Sequence, residues 1–319
     1  MTAQELSWFA LWGATALYAI AMIASSIHLA RVADAKVAAK KLAAVAAGDS
    51  GVGETGAAQA TPASARIQVN DKANGIAKAT TLVGALLQGV GVVARGFESG
   101  HVPWSTMYEY TITGTWVAVV VFLIVQRKRD VSYLAPGVTG FATIALGLGL
   151  TVLYAQSTGL QPALQSFWLV IHVSIAIIAT GVFVVGAVAT VLQLLRDYRD
   201  SGAGWLQRWN WLEATPSASK LEALAFRLNA VGFVLWTFTV MAGAVWAEHA
   251  WGRYWGWDPK EVWSFVIWVI YAAYLHARTT QGWAGRRSAY LSLIGFVALI
   301  MNFTVVNIVF QGLHSYAGV

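Results

Sequence analysis

The feature that most constrains the fold is a series of long apolar segments that contain almost no charged residue. A segment of roughly 20 such residues can cross the ~30 Å hydrocarbon core of a bilayer. The 319-residue chain contains about eight, at approximately 6–30, 76–96, 107–126, 132–155, 166–195, 221–247, 262–278 and 288–312. Only helices and closed barrels satisfy their backbone hydrogen bonds in lipid. Segments this long and continuous therefore predict an all-α polytopic membrane protein with about eight transmembrane helices.

Lysine and arginine are concentrated in alternate loops between these segments. The basic loops carry Arg31, Lys36, Lys40 and Lys41, then Arg127, Lys128 and Arg129, then Arg196, Arg199 and Arg208, and finally Arg278, Arg286 and Arg287. By the positive-inside rule, these loops face the cytoplasm and both termini lie outside. The net charge of +6 follows from this pattern and does not indicate nucleic-acid binding. Glu5 precedes the first segment without a basic region, so we expect a retained helix there.

We divide the chain into three parts. Residues 1–32 form the first transmembrane helix, 33–75 a flexible cytoplasmic insertion, and 76–319 a membrane domain with an external segment at 248–264. The insertion is rich in alanine, glycine and threonine and lacks the side chains that build a core. The chain has no cysteine, so any thiol chemistry belongs to a substrate or partner.

The stretch "WGRYWGWDPKEVWSF", residues 251–265, combines four tryptophans with four charged residues. Asp258, Pro259 and Glu261 predict a helix start with a capping box. The indoles offer a stacking surface for a large planar molecule, and the glycines allow its close approach. Arg253, Lys260 and the helix N-terminus could hold anionic groups of that molecule. The alternative interpretation is an interfacial aromatic belt.

Four of the six histidines gather at the predicted outer face: His101, His172, His249 and His314. A planar molecule with carboxylates beside histidines suggests haem, whose iron takes axial imidazole ligands. His172 and His314 lie at comparable depth and could approach the iron from opposite sides. The alternative for each is an interfacial polar group, and we do not expect His249 to be a ligand.

The tryptophan-rich stretch strongly resembles the signature of the WWD-type haem-handling superfamily. Its continuation "VIWVIYAAYLHAR" and the stretches "RGFESGHVPWSTMYE", "LQSFWLVIHV" and "GLHSYAG" resemble the CcsA/ResC (CcsB) family of System II cytochrome c-type biogenesis proteins. The resemblance covers most of the chain from about residue 76 onward. The insertion at 33–75 is not part of the shared pattern, and we assign it no role.

The resemblance implies that haem b is delivered to the outer face and attached covalently to apocytochrome c with a Cys-x-x-Cys-His motif. It implies a holocytochrome c synthase component of the lyase class, active with a ResB-type (Ccs1-type) membrane subunit and an external thiol reductant. It places the protein in the cytoplasmic (inner) membrane, with its functional face outside. The alternative is a haem exporter or chaperone that forms no thioether bond. An ion or solute permease is disfavoured, because the segments contain almost no charged residue.

The resemblance also implies roles for single residues. His172 and His314 match the external haem-iron ligands, and His276 matches a transmembrane haem ligand. His28 is a possible in-chain partner of His276, although an interface residue is the favoured interpretation. His101 matches the family as well, and it could instead organise the outer loop with Glu98 and Glu109. The haem-binding signature corresponds to Trp251, Gly252, Arg253, Tyr254, Trp255, Trp257, Asp258, Lys260 and Glu261.

Overall fold

The computed structural model describes residues 1–48, 72–156, 160, 164–280 and 282–314. These residues form helices, and they contain no strand. The helices are α1 (Ala3–Gly48), α2 (Lys72–Ser99), α3 (Met107–Lys128), α4 (Ala135–Thr151), α5 (Phe167–Asp200), α6 (Ala218–Trp251), α7 (Pro259–Thr280), α8 (Arg286–Phe303) and the short α9 (Val305–Val309). Single 3-10 turns occur at Ser132–Leu134, Leu206–Arg208 and Asn210–Ala214.

Seven of these helices, α1 to α6 and α8, are long and apolar enough to cross a membrane. The remaining predicted segment, 262–278, corresponds to α7, whose 22 residues would extend about 33 Å at 1.5 Å per residue. It is less apolar because it begins with Lys260 and Glu261 and contains several tryptophans and tyrosines. The all-α polytopic membrane fold is therefore confirmed.

The first helix is longer than the sequence suggested. We assigned residues 33–48 to the flexible insertion, but α1 continues to Gly48. This stretch is rich in alanine and lysine, which have high helix propensity, and no proline interrupts it. At the other end of the insertion, α2 begins at Lys72. Residues 49–71 lie outside the described residues.

Helices α1, α2 and α3 are joined by buried hydrogen bonds that polar side chains donate to side chains or backbone carbonyls of the neighbouring helix. The Tyr18 hydroxyl of α1 donates to Gln88 Oε1 of α2 at 2.7 Å, and Gln88 Nε2 donates to the carbonyl of Ile112 in α3 at 2.9 Å. Ser7 Oγ donates to the carbonyl of Gly91 at 2.9 Å. In a bilayer such groups require protein partners, because lipid tails offer none. These contacts fix the register of the three helices.

Two apolar cores lie on either side of α5. One joins α1, α2, α3 and α4 to α5 and the beginning of α6. The other joins α5 to α6, α7 and α8, with Phe183 stacked on Tyr271 at 4.0 Å between ring centroids. Helix α5 is thus the central element of the bundle. Its two ends lie beside the two sets of loops.

The predicted cytoplasmic loops meet at one end of the bundle. Lys36 Nζ donates to the carbonyl of Glu213 at 3.1 Å, and Gln193 Nε2 donates to the carbonyl of Gly285 at 3.1 Å. Arg286 is paired with Asp197. The loops predicted to face outward meet at the opposite end, which we call the predicted outer end.

Candidate functional site

A cavity of about 260 Å³ opens at the predicted outer end of the bundle. The three loops predicted to lie outside and the C-terminal segment all contribute to its lining. Trp104 comes from the connection between α2 and α3, Leu164 precedes α5, Tyr254 lies between α6 and α7, and His314 follows α9. The deeper walls come from α3, α5, α6, α7 and α8. The bundle therefore brings together segments that are more than 200 residues apart in the chain.

His172, on the second turn of α5, lines this cavity. Its Nδ1 lies 2.9 Å from the carbonyl oxygen of Thr239 in α6. A carbonyl can only accept, so Nδ1 carries the proton and Nε2 carries the lone pair. Gly243, one turn further along α6, allows the imidazole to lie against the helix, because a Cβ there would come within 2.7 Å of the ring. The ring orientation of His172 is thus set by α6.

His314, beyond the last helix, lines the same cavity. Its Nδ1 lies 2.7 Å from Asp258 Oδ1, so this imidazole also has its proton on Nδ1. The backbone N–H of the preceding Leu313 donates to Asp258 Oδ2 at 2.6 Å. One carboxylate thus holds both the ring and the backbone of the segment that carries His314. Such a carboxylate–histidine pair is the usual support of a metal-binding imidazole.

Asp258 and Glu261 form the predicted capping box. Asp258 Oδ1 accepts the N–H of Lys260 at 3.1 Å, and Glu261 Oε2 accepts the N–H of Asp258 at 3.1 Å. Burial of Asp258 opposes its charged form, but the hydrogen bonds from His314 and from backbone N–H groups outweigh this effect and lower its pKa. Asp258 is therefore an anion at neutral pH, and it anchors both the start of α7 and His314.

The tryptophan-rich segment is divided between the cavity and the surface. Tyr254, Trp255, Lys260 and Glu261 line the cavity. Trp251 lies against His314, with ring centroids 4.9 Å apart. Lys260 donates to Asn307 Oδ1.

Five residues of the predicted haem-binding signature are not among those that line the cavity: Trp251, Gly252, Arg253, Trp257 and Asp258. Trp257 has a left-handed backbone with φ of 62° and is 75% exposed. Gly252, with φ of 69°, ends α6. Arg253 Nη1 lies 3.3 Å from Glu261 Oε1, and this carboxylate also accepts the N–H of Gly256 at 2.8 Å. The charges of Arg253 and Glu261 thus stabilise the segment itself.

The other four histidines are not among the residues that line the cavity. His276 is exposed on α7. His28 belongs to α1, which packs mainly on α2 and α4, whereas α7 packs mainly on α8 and α6. His249 Nδ1 lies 2.9 Å from the carbonyl of Val245 in its own helix. His101 Nδ1 contacts the carbonyl of Val102 at 3.0 Å. Glu98 and Glu109 are joined by Arg95, not by His101.

Sequence reasoning missed several residues of the site. Trp246 is fully buried, stacks on His172 with ring centroids 5.9 Å apart and contacts His314 at 5.5 Å. Trp104, Tyr110 and Asn302 line the cavity from the connection before α3, from α3 and from α8. The stretch that resembles the family already contained Trp104. Trp246 lies only five residues before Trp251, but nothing in the local pattern shows that it faces both histidines.

Comparisons with known proteins point to one family. Residues 104–314 match the family model of Cytochrome C assembly protein. Proteins called "Cytochrome c biogenesis protein CcsA" are similar over most of their length. The protein of Parasynechococcus marenigrum is 34% identical over 76% of this chain and 86% of its own, and that of Gloeobacter violaceus is 34% identical over 73% and 83%. The solved structure of "Cytochrome c Heme Lyase CcmF" has the same fold, with a TM-score of 0.64 at 15% identity. The match covers 95% of this chain and 47% of that one.

Proposed function

Because the chain belongs to the cytochrome c assembly protein family, as a CcsA protein with a role in cytochrome c biogenesis, we propose that its cavity binds haem b between His172 and His314. Haem is here the cargo and substrate, to be joined to apocytochrome c. We further propose that the protein lies in the cytoplasmic (inner) membrane, with the cavity on the outer side. The basic loops at the opposite end of the bundle support this orientation.

The observation that carries the proposal is the pair of oriented imidazoles in one cavity. His172 donates from Nδ1 to the Thr239 carbonyl, and His314 donates from Nδ1 to Asp258. In the neutral form of each ring this leaves the lone pair on Nε2, the atom that an axial haem ligand uses. Trp246 lies against both rings. The remaining walls are mostly apolar and aromatic, which suits a porphyrin face.

Lys260 supports the choice of a ligand that carries carboxylates. Its side chain lies among the lining residues, at the first turn of α7. The positive end of that helix faces the same region and favours negative charge. A haem propionate would add an anion beside Lys260, whereas Arg253 is already paired with Glu261.

The chemical step is the addition of a cysteine thiol of apocytochrome c across each haem vinyl group. The sulfur bonds to one vinyl carbon and the thiol hydrogen goes to the other, so the addition consumes no oxidant or reductant. The thiols must be reduced beforehand, and a chain without cysteine leaves that task to an external thiol reductant. The contribution of this protein is to orient the ring and present its edge. The histidine of the Cys-x-x-Cys-His motif would then replace one axial imidazole.

We assign His276 to an earlier haem position, at the boundary with a ResB-type subunit. The side chain is exposed on α7, and an ionisable residue on a membrane helix is a candidate for a functional contact. The exposed position suits an iron ligand shared with a partner better than it suits a ligand pair with His28.

An absorption spectrum of the detergent-purified protein tests the proposal. We expect a bis-histidine haem spectrum, sharpened by dithionite, that is weakened in His172→Ala and in His314→Ala. His249→Ala is the matched control, because it removes an exposed histidine at the same end of the bundle. A colourless wild-type protein, also when co-expressed with a ResB-type subunit, would refute the haem site.

A reporter cytochrome c in cells without another synthase tests the attachment step. Covalent haem on the reporter that survives denaturation would support a synthase. If the purified protein contains haem but the reporter acquires none, even with a ResB-type subunit present, the exporter or chaperone function is favoured.

A further inference from the structure

An arginine with its charge fully buried lies beside the cavity at the predicted outer end. Arg95, near the end of α2, is 1% exposed. Its Nε donates to Glu109 Oε1 of α3 at 3.0 Å, and its Nη2 donates to the carbonyl of Ala155, beyond α4, at 2.9 Å. Its Nη1 lies 3.3 Å from Glu98 Oε1. One guanidinium thus connects the outer ends of three helices.

Glu109 links Arg95 to the residues that form one wall of the cavity. The carboxylate is 1% exposed, and its Oε2 accepts both the N–H of Ser105, at 3.0 Å, and the Ser105 hydroxyl, at 2.8 Å. The N–H of Glu109 donates to Thr106 Oγ1 at 3.1 Å. Trp104, Ser105 and Thr106 line the cavity that contains His172 and His314.

We propose that Arg95 and Glu109 are positioning residues, which hold the wall formed by residues 104–106 in the shape that the bound molecule requires. The inference rests on the proposed haem site. Neither residue lines the cavity, so neither is expected to touch the haem. Both act through Ser105 and its neighbours.

The choice of residues supports positioning over simple stability. A buried ion pair is costly to desolvate, and apolar side chains of similar size often stabilise a fold equally well. A guanidinium with fixed donor directions can instead set the geometry of several acceptors at once. Arg95 has acceptors on three segments, and Glu109 joins it to a fourth. Lysine would retain the charge but could not serve all of these acceptors.

The test compares variants that remove different parts of this connection in the full-length protein. Arg95→Lys keeps the charge, whereas Ser105→Ala removes one hydrogen bond and leaves the ion pair intact. The pair Arg95→Met with Glu109→Met removes both charges, so that neither is left buried without its partner. Arg199→Lys is the matched control, because Arg199 is paired with Glu213 at 2.8 Å at the opposite end of the bundle. Haem affinity, the reduction potential of bound haem and the thermal midpoint are measured for each.

We expect Arg95→Lys and the double-methionine variant to bind haem about tenfold more weakly or worse, with an altered reduction potential. Ser105→Ala should show a smaller change in the same direction, and Arg199→Lys should bind haem like the wild type even if its midpoint falls. Wild-type affinity and potential in Ser105→Ala and in whichever Arg95 variant folds would overturn the inference. A wild-type protein that binds no haem would instead refute the proposed function.

Discussion

Replacement of Asp258 by asparagine tests the support of His314 without changing the shape of the side chain. The two carboxylate oxygens accept three N–H groups. Oδ1 accepts from His314 Nδ1 at 2.7 Å and from the N–H of Lys260 at 3.1 Å, and Oδ2 accepts from the N–H of Leu313 at 2.6 Å. In Asp258→Asn one oxygen becomes an amide nitrogen, which cannot accept.

Either orientation of the amide disturbs the segment that carries His314. If the amide nitrogen faces Leu313, the hydrogen bond from the Leu313 N–H is lost and two donors face each other. If it faces His314, the hydrogen bonds from His314 and from the Lys260 N–H are both lost. A hydrogen bond to a charged group contributes about 1.5–3 kcal/mol. Loss of the partner of a metal-binding histidine lowers affinity by about 10–100-fold, which corresponds to roughly 1.4–2.7 kcal/mol. The two estimates agree, so we expect a loss of haem affinity in this range.

Haem titration of the detergent-purified protein, followed by absorbance, measures the effect. The matched control is Asp130→Asn, which removes the same charge from an exposed turn where Asp130 Oδ1 accepts the hydroxyl of Ser132 at 2.8 Å. We expect the control to bind haem like the wild type. If Asp258→Asn also keeps its affinity within about twofold, or roughly 0.4 kcal/mol, then Asp258 does not orient the haem ligand and the reasoning is wrong.

Three further substitutions have expected outcomes. Gly243→Ala should weaken haem binding by about 1–3 kcal/mol, because the added Cβ would lie 2.7 Å from the His172 ring. Gly147→Ala is the control: a Cβ at Gly147 meets open space, so this variant should bind haem normally in the same titration. Glu261→Ala should lower the thermal midpoint more than the haem affinity per folded molecule, because it leaves two backbone N–H groups without their acceptor; equal midpoints would contradict this. Tyr18→Phe should lower the free energy of unfolding by about 0.6–1.7 kcal/mol, because Gln88 on α2 stays buried without the hydroxyl that it accepts. The haem spectrum should be unchanged.

The membrane fold was predictable because its signals are local. Uninterrupted apolar segments specify helices in lipid without reference to the rest of the chain. The capping box of Asp258 and Glu261 was readable for the same reason, since all its atoms lie within four residues. The extension of α1 to Gly48 was missed because the glycine-rich centre of the insertion outweighed the alanine and lysine content of its beginning.

The site was only partly predictable, because its remaining residues meet through packing. The sequence indicated His172 and His314 as a pair because they lie at comparable predicted depth in the membrane, and the structure brings both to one cavity. Their roles as haem ligands remain a prediction. The contact of Trp246 with both imidazoles depends on the rotation of α6 against α5, which no local sequence pattern predicts. The pairing of Arg253 with Glu261 likewise depends on how the loop folds back, so the sequence did not predict it.

The two imidazoles differ in the stiffness of their supports. His172 is part of a continuous helix of 34 residues that packs along α6, so moving it would require bending the centre of the bundle. His314 lies beyond the five-residue α9 and is tied to the head of α7 through Asp258. Movement there involves a short stretch of chain and leaves the bundle unchanged. His172 is thus held more rigidly than His314. Under the proposed function, we therefore expect an iron ligand to be exchanged more easily at His314 than at His172.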